Sequence, residues 1–314
     1  MPSKKKGAKK AYKVTNWREY NTALKQRGSL TIWISKEIEG NWYAHKAICT
    51  KPGRQLKYSN QAIQMMLALR TIFKLPLRQL EGFCRSLFEF GGIRLQVPEF
   101  SRLSRRSSKA LSSFSLPKPQ ESTYLIIDST GLKVYGESEW LESKHGKQYK
   151  RKVWRTLHIG ISKEGLILSR VMTNHLTNDR QCVDPLINQT NSELITEVIA
   201  DAGYDSNSVY DLLASKGIRT IPPPARTKAL KHKPKTLRDH SCNYIQNKGI
   251  RAWYTKNRYR RREKVENLFY RYKTIIGRKL MSRKWENQDA EIHLGCIILN
   301  QMTKLGMPNS VKTA

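Results

Sequence analysis

The chain has 314 residues, with 58 lysines and arginines against 25 aspartates and glutamates and a formal net charge of +33. A hydrophobic content of 39% is enough to bury a core, which excludes a wholly disordered basic tail, and the length accommodates two or three folded units. So much positive charge on a folded chain calls for a polyanionic partner, nucleic acid first and an anionic membrane surface second. The densest apolar runs, Ile63–Leu69 and Leu294–Leu299, are far too short to span a bilayer.

Residues 1–15 hold Lys4, Lys5, Lys6, Lys9, Lys10 and Lys13 with no apolar stretch behind them, and read as a solvated basic arm rather than a signal peptide. Residues 30–50 contain a short apolar and aromatic stretch, Leu30, Ile32, Trp33 and Ile34 and then Trp42 and Tyr43, which fits two strands. From Asn60 the spacing turns helical: Ile63, Met66, Leu67 and Phe73 share one side, Pro76 interrupts, and Leu77, Leu80, Cys84 and Leu87 continue until Gly91 and Gly92. Pro98 is expected to open the next helix. There Phe100, Leu103, Ser107, Ala110, Leu111 and Phe114 form one face, while Arg102, Arg105, Arg106 and Lys109 fall at i, i+3, i+4, i+7 on another. A helix that packs on its neighbours with one face and offers cations with the other is built as a DNA-recognition helix is; an ordinary surface helix with a basic face has the same pattern.

Ser115–Ser122, with Pro117 and Pro119, reads as a linker. The rhythm beyond it is α/β. Tyr124–Ile127 is a buried-strand run, and Arg155–Ser162 and Leu166–Met172 flank a Lys163-Glu164-Gly165 turn as a hairpin. Asp179–Gln189 fits a helix, Ile195–Ala200 a strand, Asn207–Lys216 a helix and Ile218–Ile221 a further strand ended by Pro222, Pro223 and Pro224. Residues 226–262 then hold thirteen lysines and arginines and one acidic residue, Asp239, which reads as an insertion lying along DNA. A helix is expected to follow through about Lys279, and the last eight or so residues look frayed. The five cysteines, Cys49, Cys84, Cys182, Cys242 and Cys296, are scattered and form no C-x-x-C pair, so neither a disulfide frame nor a zinc site is indicated and the redox setting reads as cytosolic.

Three carboxylates stand out. Asp128 and Asp201 each end an apolar strand run, Leu125-Ile126-Ile127 and Val198-Ile199-Ala200. Ligands of α/β sheets sit beyond the carboxyl ends of strands, and two aspartates there can hold a hard cation through oxygen; either aspartate alone fits equally well as a turn former or helix cap. Tyr259, Arg262, Glu266 and Lys273 lie at offsets 0, 3, 7 and 14, within one stripe about 60° wide on a helix, separate from the apolar face of Val265, Leu268, Tyr272 and Ile275. The plainer reading of that stripe is a solvated face with Arg–Glu pairing. His158 reads as a packed strand residue, Asp205 as a helix N-cap, Lys144, Lys147, Lys150, Arg151, Lys152 and Arg155 as a DNA-facing or merely solvated loop, and Trp140 and Trp253 as packing residues in preference to base-stacking ones.

The spacing Tyr-x₂-Arg-x₃-Glu-x₆-Lys met by Tyr259, Arg262, Glu266 and Lys273 resembles the signature of bacterial insertion-sequence transposases of the DDE superfamily. Ile127-Asp128-Ser129-Thr130-Gly131-Leu132-Lys133 and Asp201-Ala202-Gly203-Tyr204-Asp205 are similar to that group's two aspartate motifs, and the segments Trp17 to Ser35 and Trp154-Arg155-x-Leu157-His158 resemble insertion-sequence family five. The resemblance runs from about Trp17 to Asn300. It implies an α/β, RNase H-like catalytic domain with Asp128, Asp201 and Glu266 as a metal-binding catalytic triad, and a mainly helical, helix-turn-helix-like N-terminal region. The organisation that follows is a basic arm (1–15), an N-terminal DNA-binding region (16–115), the first part of the core (116–225), a basic insertion (226–258) and a closing core region (259–314).

Three carboxylates from separate elements suit Mg²⁺, with Mn²⁺ able to substitute, and two such ions can serve hydrolysis at an element's end and attack of the freed 3′-OH on target DNA. The implied partners are double-stranded DNA, as element ends and target, and further copies of the chain in a homodimer or larger homo-oligomer; the implied setting is a bacterial cytoplasm, at the nucleoid. Arg102, Arg105, Arg106 and Lys109, with Tyr259, Arg262 and Lys273, are the expected DNA contacts. A tyrosine recombinase is disfavoured, because none of the seven histidines has arginine three residues on. A non-transposing Mg²⁺ nuclease and a catalytically inert DNA-binding regulator remain the alternatives.

Overall fold

Alternation of side chains along the strands, two sheet faces with period two, sets the layering of the half that holds the larger sheet. In a computed structural model, which describes residues 12–30, 34, 36–44, 56–134, 154–224 and 235–313, strands β1 (Tyr12–Val14), β2 (Thr123–Val134), β3 (Trp154–Ile161), β4 (Ile167–Asn174), β5 (Ile195–Ile199), β6 (Arg219–Ile221), β7 (Lys279–Leu280) and β8 (Ser310–Lys312) form two sheets. The larger has the order β4-β3-β2-β5-β6, with β7 also on β2. β2, β3 and β4 are antiparallel, while β5 and β6 run parallel to β2. Ile126 of β2 joins Ile159, Ile161 and Ile199 in a core on one face, and Leu125 and Ile127 join Ile195 and Val198 in a core on the other. This mixed α/β arrangement is compatible with an RNase H-like domain.

Helices cover both faces. Those at Val183–Asn188 (α5) and Asn207–Ser215 (α6) fill one side with Leu186, Ile187, Val209 and Leu213. Leu237–Lys248 (α7), Ile250–Lys256 (α8) and Glu263–Arg271 (α9) fill the other with Ile245, Trp253, Val265 and Leu268. Further helices lie at Trp17–Arg27 (α1), Asn60–Phe73 (α2), Leu77–Phe90 (α3) and Phe100–Leu111 (α4). α2 is capped by the Ser59 hydroxyl accepting from Ala62 N–H, and α3 starts after Pro76. The pattern from Asn60 to Gly91 is thus helical as expected. α4 begins two residues after Pro98, since Pro98 and Glu99 are still extended or capping.

The long helix Trp285–Leu305 (α10) joins the two halves. Its Ala290, Leu294, Ile298 and Met302 belong to the core of α2, α3 and α4, whereas its Ile292, Cys296 and Leu299 belong to the sheet core. Gly295 allows this close approach: a Cβ there would stand 2.9 Å from the Tyr272 hydroxyl and 3.0 Å from Ile276 Cγ2. Asn300 fastens the helix to β4, donating to Ile167 O and accepting from Ile167 N at 2.8 and 2.7 Å.

Several expectations need correction. The last residues are not all frayed and the end of the arm is a strand, because β8 pairs antiparallel with β1. The helix expected to reach Lys279 stops being α-helical at Arg271, passes through a π turn over Tyr272–Ile276 and breaks at Gly277, whose φ is +140°. Asp179–Gln189 is a tight 3-10 turn followed by α5 rather than one helix. From Leu237 the basic insertion, expected to hold few core residues, is a helical pair that buries Cys242, Ile245 and Trp253. Within 30–50, where two strands are expected, the described residues form a short helix, Lys36–Gly40, and one antiparallel bridge, Tyr43 to Tyr58. Residues 31–33, 35 and 45–50 of that stretch, residues 1–11, Trp140, the basic loop at 144–152 and the start of the insertion at 226–234 lie outside the described residues.

Candidate active site

Asp128 is not at the end of its strand; β2 continues to Val134, because β3 pairs along it as far as Lys133. What ends near Asp128 is the parallel neighbour: β5 pairs with β2 only as far as Ile126–Ile199, and β7 takes up the same edge at Lys133. The stretch of β2 between them is an open edge in an otherwise paired sheet. Asp128 has the parity of Ile126 and therefore points to the face that carries α9. Asp201 follows β5 and caps a short 3-10 turn, its Oδ1 accepting from Gly203 N–H at 2.8 Å. Glu266 lies in the first turn of α9.

Arg262 connects Asp128 and Glu266. Its Nη1 donates to Asp128 Oδ2 at 2.9 Å and its Nη2 to Glu266 Oε1. Asp128 Oδ1 accepts from the Ser129 N–H at 2.8 Å. Burial pushes the Asp128 carboxyl up to about 6; the Ser129 N–H and Arg262 oppose this, and the charges of Asp201 and Glu266 add to it. Burial lowers the Arg262 guanidinium, but Tyr259, Asp128, Glu266 and Asp201 together raise it, and the net shift is upward. Asp128 and Glu266 thus share one cation, and the Asp201 charge favours it from farther away.

Tyr259 and Arg262 occupy a 3-10 turn and Lys273 a π turn, so the four spaced residues do not follow one uniform helical stripe. Tyr259 nevertheless reaches the same place: its hydroxyl donates to Ala200 O, the residue before Asp201, at 3.2 Å, and its ring stacks on Tyr254 at 4.9 Å. Lys273 is half-buried and forms no ion pair with the three carboxylates among the described residues. Glu263 also begins α9, but Arg262 pairs with Glu266 and not with it.

The other expected contacts have varied placements. Arg105 and Lys109 are exposed on α4. Arg102 lies 4.0 Å from Glu99, with its guanidinium over the Tyr58 ring. Arg106 donates to Tyr58 O and Asn60 Oδ1, bracing α4 against the start of α2. Asp205 is not the N-cap of α6; Ser206 is, accepting from Val209 N–H. The Asp205 carboxylate is instead gripped by Arg238 of α7 through two 2.8 Å bonds. Trp253 packs in the core, and His158 is fully buried with Nε2 2.9 Å from Thr173 Oγ1.

Asp179 and Arg180, which sequence patterns do not single out, lie against the residues following the two aspartates. The only local signal is a polar Asn178-Asp179 start to a turn; their partners are 50 and 23 residues away.

The donor set is all oxygen and already draws positive charge, which fits a hard divalent cation. Among the described residues no three of His, Cys, Asp and Glu are close enough to hold an ion by themselves, and Arg262 lies between two of the three carboxylates. Two family models described as Transposase DDE domain match the chain, one over residues 119–301, more than half its length, and one over 25–137.

Proposed function

The chain belongs to the Transposase DDE domain family, and from that membership we propose that it is an insertion-sequence transposase, similar to insertion-sequence family five, which binds its element's terminal inverted repeats, frees 3′-OH ends and joins them to target DNA. Family membership makes it an enzyme that cuts and joins DNA and, as such domains generally do, depends on a divalent metal. The observation that carries the finer reading is the pairing of Asp128, from a strand, and Glu266, from a helix, with the single guanidinium of Arg262, whose charge Asp201, in the turn after β5, also favours.

In this reading Asp128, Asp201 and Glu266 would hold Mg²⁺, as two ions in the full complex. Such ions would supply Lewis-acid activation of a water or 3′-OH and stabilisation of the leaving oxygen. Arg262, released from the carboxylates, is placed to hold a phosphate beside the cut. Tyr259 keeps the end of β5 against the turn that carries Arg262. Arg102, Arg105 and Lys109 contribute to end binding from α4, and the chain works as a homodimer or larger homo-oligomer on DNA.

The test is incubation with DNA carrying candidate ends, with and without Mg²⁺. Asp128→Ala, Asp201→Ala and Glu266→Ala should each abolish cleavage while DNA binding is retained, and Glu263→Ala should be mild. Near wild-type cleavage by any one of the first three would remove that residue from the triad.

A further inference from the structure

The turn that follows β4 holds both aspartate-bearing segments through two consecutive side chains. Asp179 Oδ2 accepts from the Ser129 hydroxyl at 2.9 Å, and Ser129 is the residue after Asp128. Arg180 Nε donates to Gly203 O at 2.9 Å, and Gly203 supplies the N–H that fixes Asp201 Oδ1. Asn178 locks the turn by accepting from Arg180 N–H at 3.1 Å.

The surroundings explain why a carboxylate stands here. Ser129 has the parity opposite to Asp128, so its side chain leaves the sheet on the far face. His158 is its direct partner across the β2–β3 ladder. The buried His158 Nδ1 has no hydrogen-bond partner and faces Asp179 Oδ1 at 3.8 Å. The Asp179 carboxylate thus bridges the two central strands beside Asp128. Its neighbour Arg180 reaches across to the end of β5.

We propose that Asp179 and Arg180 are positioning residues for metal binding: together they set the separation of Asp128 and Asp201 by holding Ser129 and Gly203. The inference rests on the proposed role of those two aspartates. Neither Asp179 nor Arg180 touches them; each acts through a neighbour, as supporting groups behind metal ligands do.

The experiment is calorimetric titration of the full chain with Mn²⁺ alone, alongside cleavage of end DNA over a Mg²⁺ series. Asp179→Ala and Arg180→Ala should weaken Mn²⁺ binding by about 10- to 100-fold and raise the Mg²⁺ needed for half-maximal cleavage to a similar degree, while affinity for DNA without metal is unchanged. Ser129→Ala removes the same hydrogen bond from its donor side and should shift Mn²⁺ binding in the same direction. Asp179→Ala combined with Ser129→Ala should be little worse than the larger single effect, because the two act on one hydrogen bond. Asp179→Asn keeps an acceptor for Ser129 and should recover part of the loss; with Ser129→Ala it carries the test if Asp179→Ala fails to fold. Asp128→Ala is the control. Wild-type Mn²⁺ binding and cleavage in Asp128→Ala would overturn the triad beneath the proposal. Loss in Asp128→Ala with wild-type Mn²⁺ binding in Asp179→Asn, Ser129→Ala and Arg180→Ala would overturn the positioning role alone.

Discussion

Arg238 sits in the basic insertion, where charge composition assigns it to DNA; the structure assigns it to Asp205. The two 2.8 Å bonds form a bidentate pair, with the Asp205 side chain 1% exposed and the Arg238 side chain 26% exposed. Arg238→Gln would leave a buried carboxylate without its guanidinium. Removing one partner of a buried pair costs about 3–5 kcal/mol, and the partial exposure of Arg238 favours the lower end, about 3 kcal/mol. That is on the order of a hundredfold in the unfolding constant. Urea denaturation of the full chain should show it as a lower midpoint with little change in slope. Arg238→Gln with Asp205→Asn should recover much of the loss, since no charge is then stranded. Salt-dependent DNA binding supplies the opposing prediction. If Arg238 neutralised a phosphate, its removal would flatten the plot of log K against log salt by about 0.9, whereas a structural pair leaves it unchanged. A stability loss below about 1 kcal/mol together with a flatter salt slope would refute the reasoning.

Burial holds Asp128 at about 6 against an ordinary 3.8, so its ionised form is disfavoured in the folded state: the associated stability is present below about 4 and lost as pH rises through 6. Asp128→Asn should therefore gain up to about 3 kcal/mol over wild type at pH 7.5 without metal and much less at pH 4.5, by urea denaturation; no gain at pH 7.5 would contradict the burial argument. Gly295→Ala should destabilise by about 1–3 kcal/mol, because the new methyl meets the Tyr272 ring and Ile276; a neutral result would mean that the π turn yields freely. Substituting glutamine at Lys231, Lys233 and Lys235 should weaken binding to end DNA and random DNA by similar factors and flatten the salt slope by up to about 0.9 for each phosphate no longer neutralised; a selective loss of end preference would show that these residues read sequence instead. End preference itself should fall when Arg102, Arg105 and Lys109 of α4 become alanine, and is best measured by gel shift in the full chain, because α10 supplies part of the core beneath α4.

Periodicity in the sequence determines much of this protein. The alternation of Leu125, Ile126 and Ile127 requires a strand buried on both faces, and Pro76 and Gly91 mark the boundaries of the first long helices. Such signals are local, since a strand or helix needs only its own side-chain spacing and caps to be recognised. Asp128 and Asp201 stand out for the same reason, each directly following an apolar run, whereas Glu266, and the grouping of the three, stands out through the resemblance of the Tyr259, Arg262, Glu266 and Lys273 spacing to a known signature. The tertiary structure decided everything that depends on partners distant in the chain. Arg238 binds Asp205 because α7 packs beside the turn after β5, and Asp179 meets Ser129 because the hairpin folds the turn back over β2. α10 serves two cores because its faces meet different neighbours, although its apolar run looks uniform in sequence. A lysine or arginine in a basic stretch has the same appearance whether it faces solvent, DNA or a buried carboxylate. The cost of burying that carboxylate alone is what commits Arg238 to it, and only the packed chain determines which carboxylates are buried.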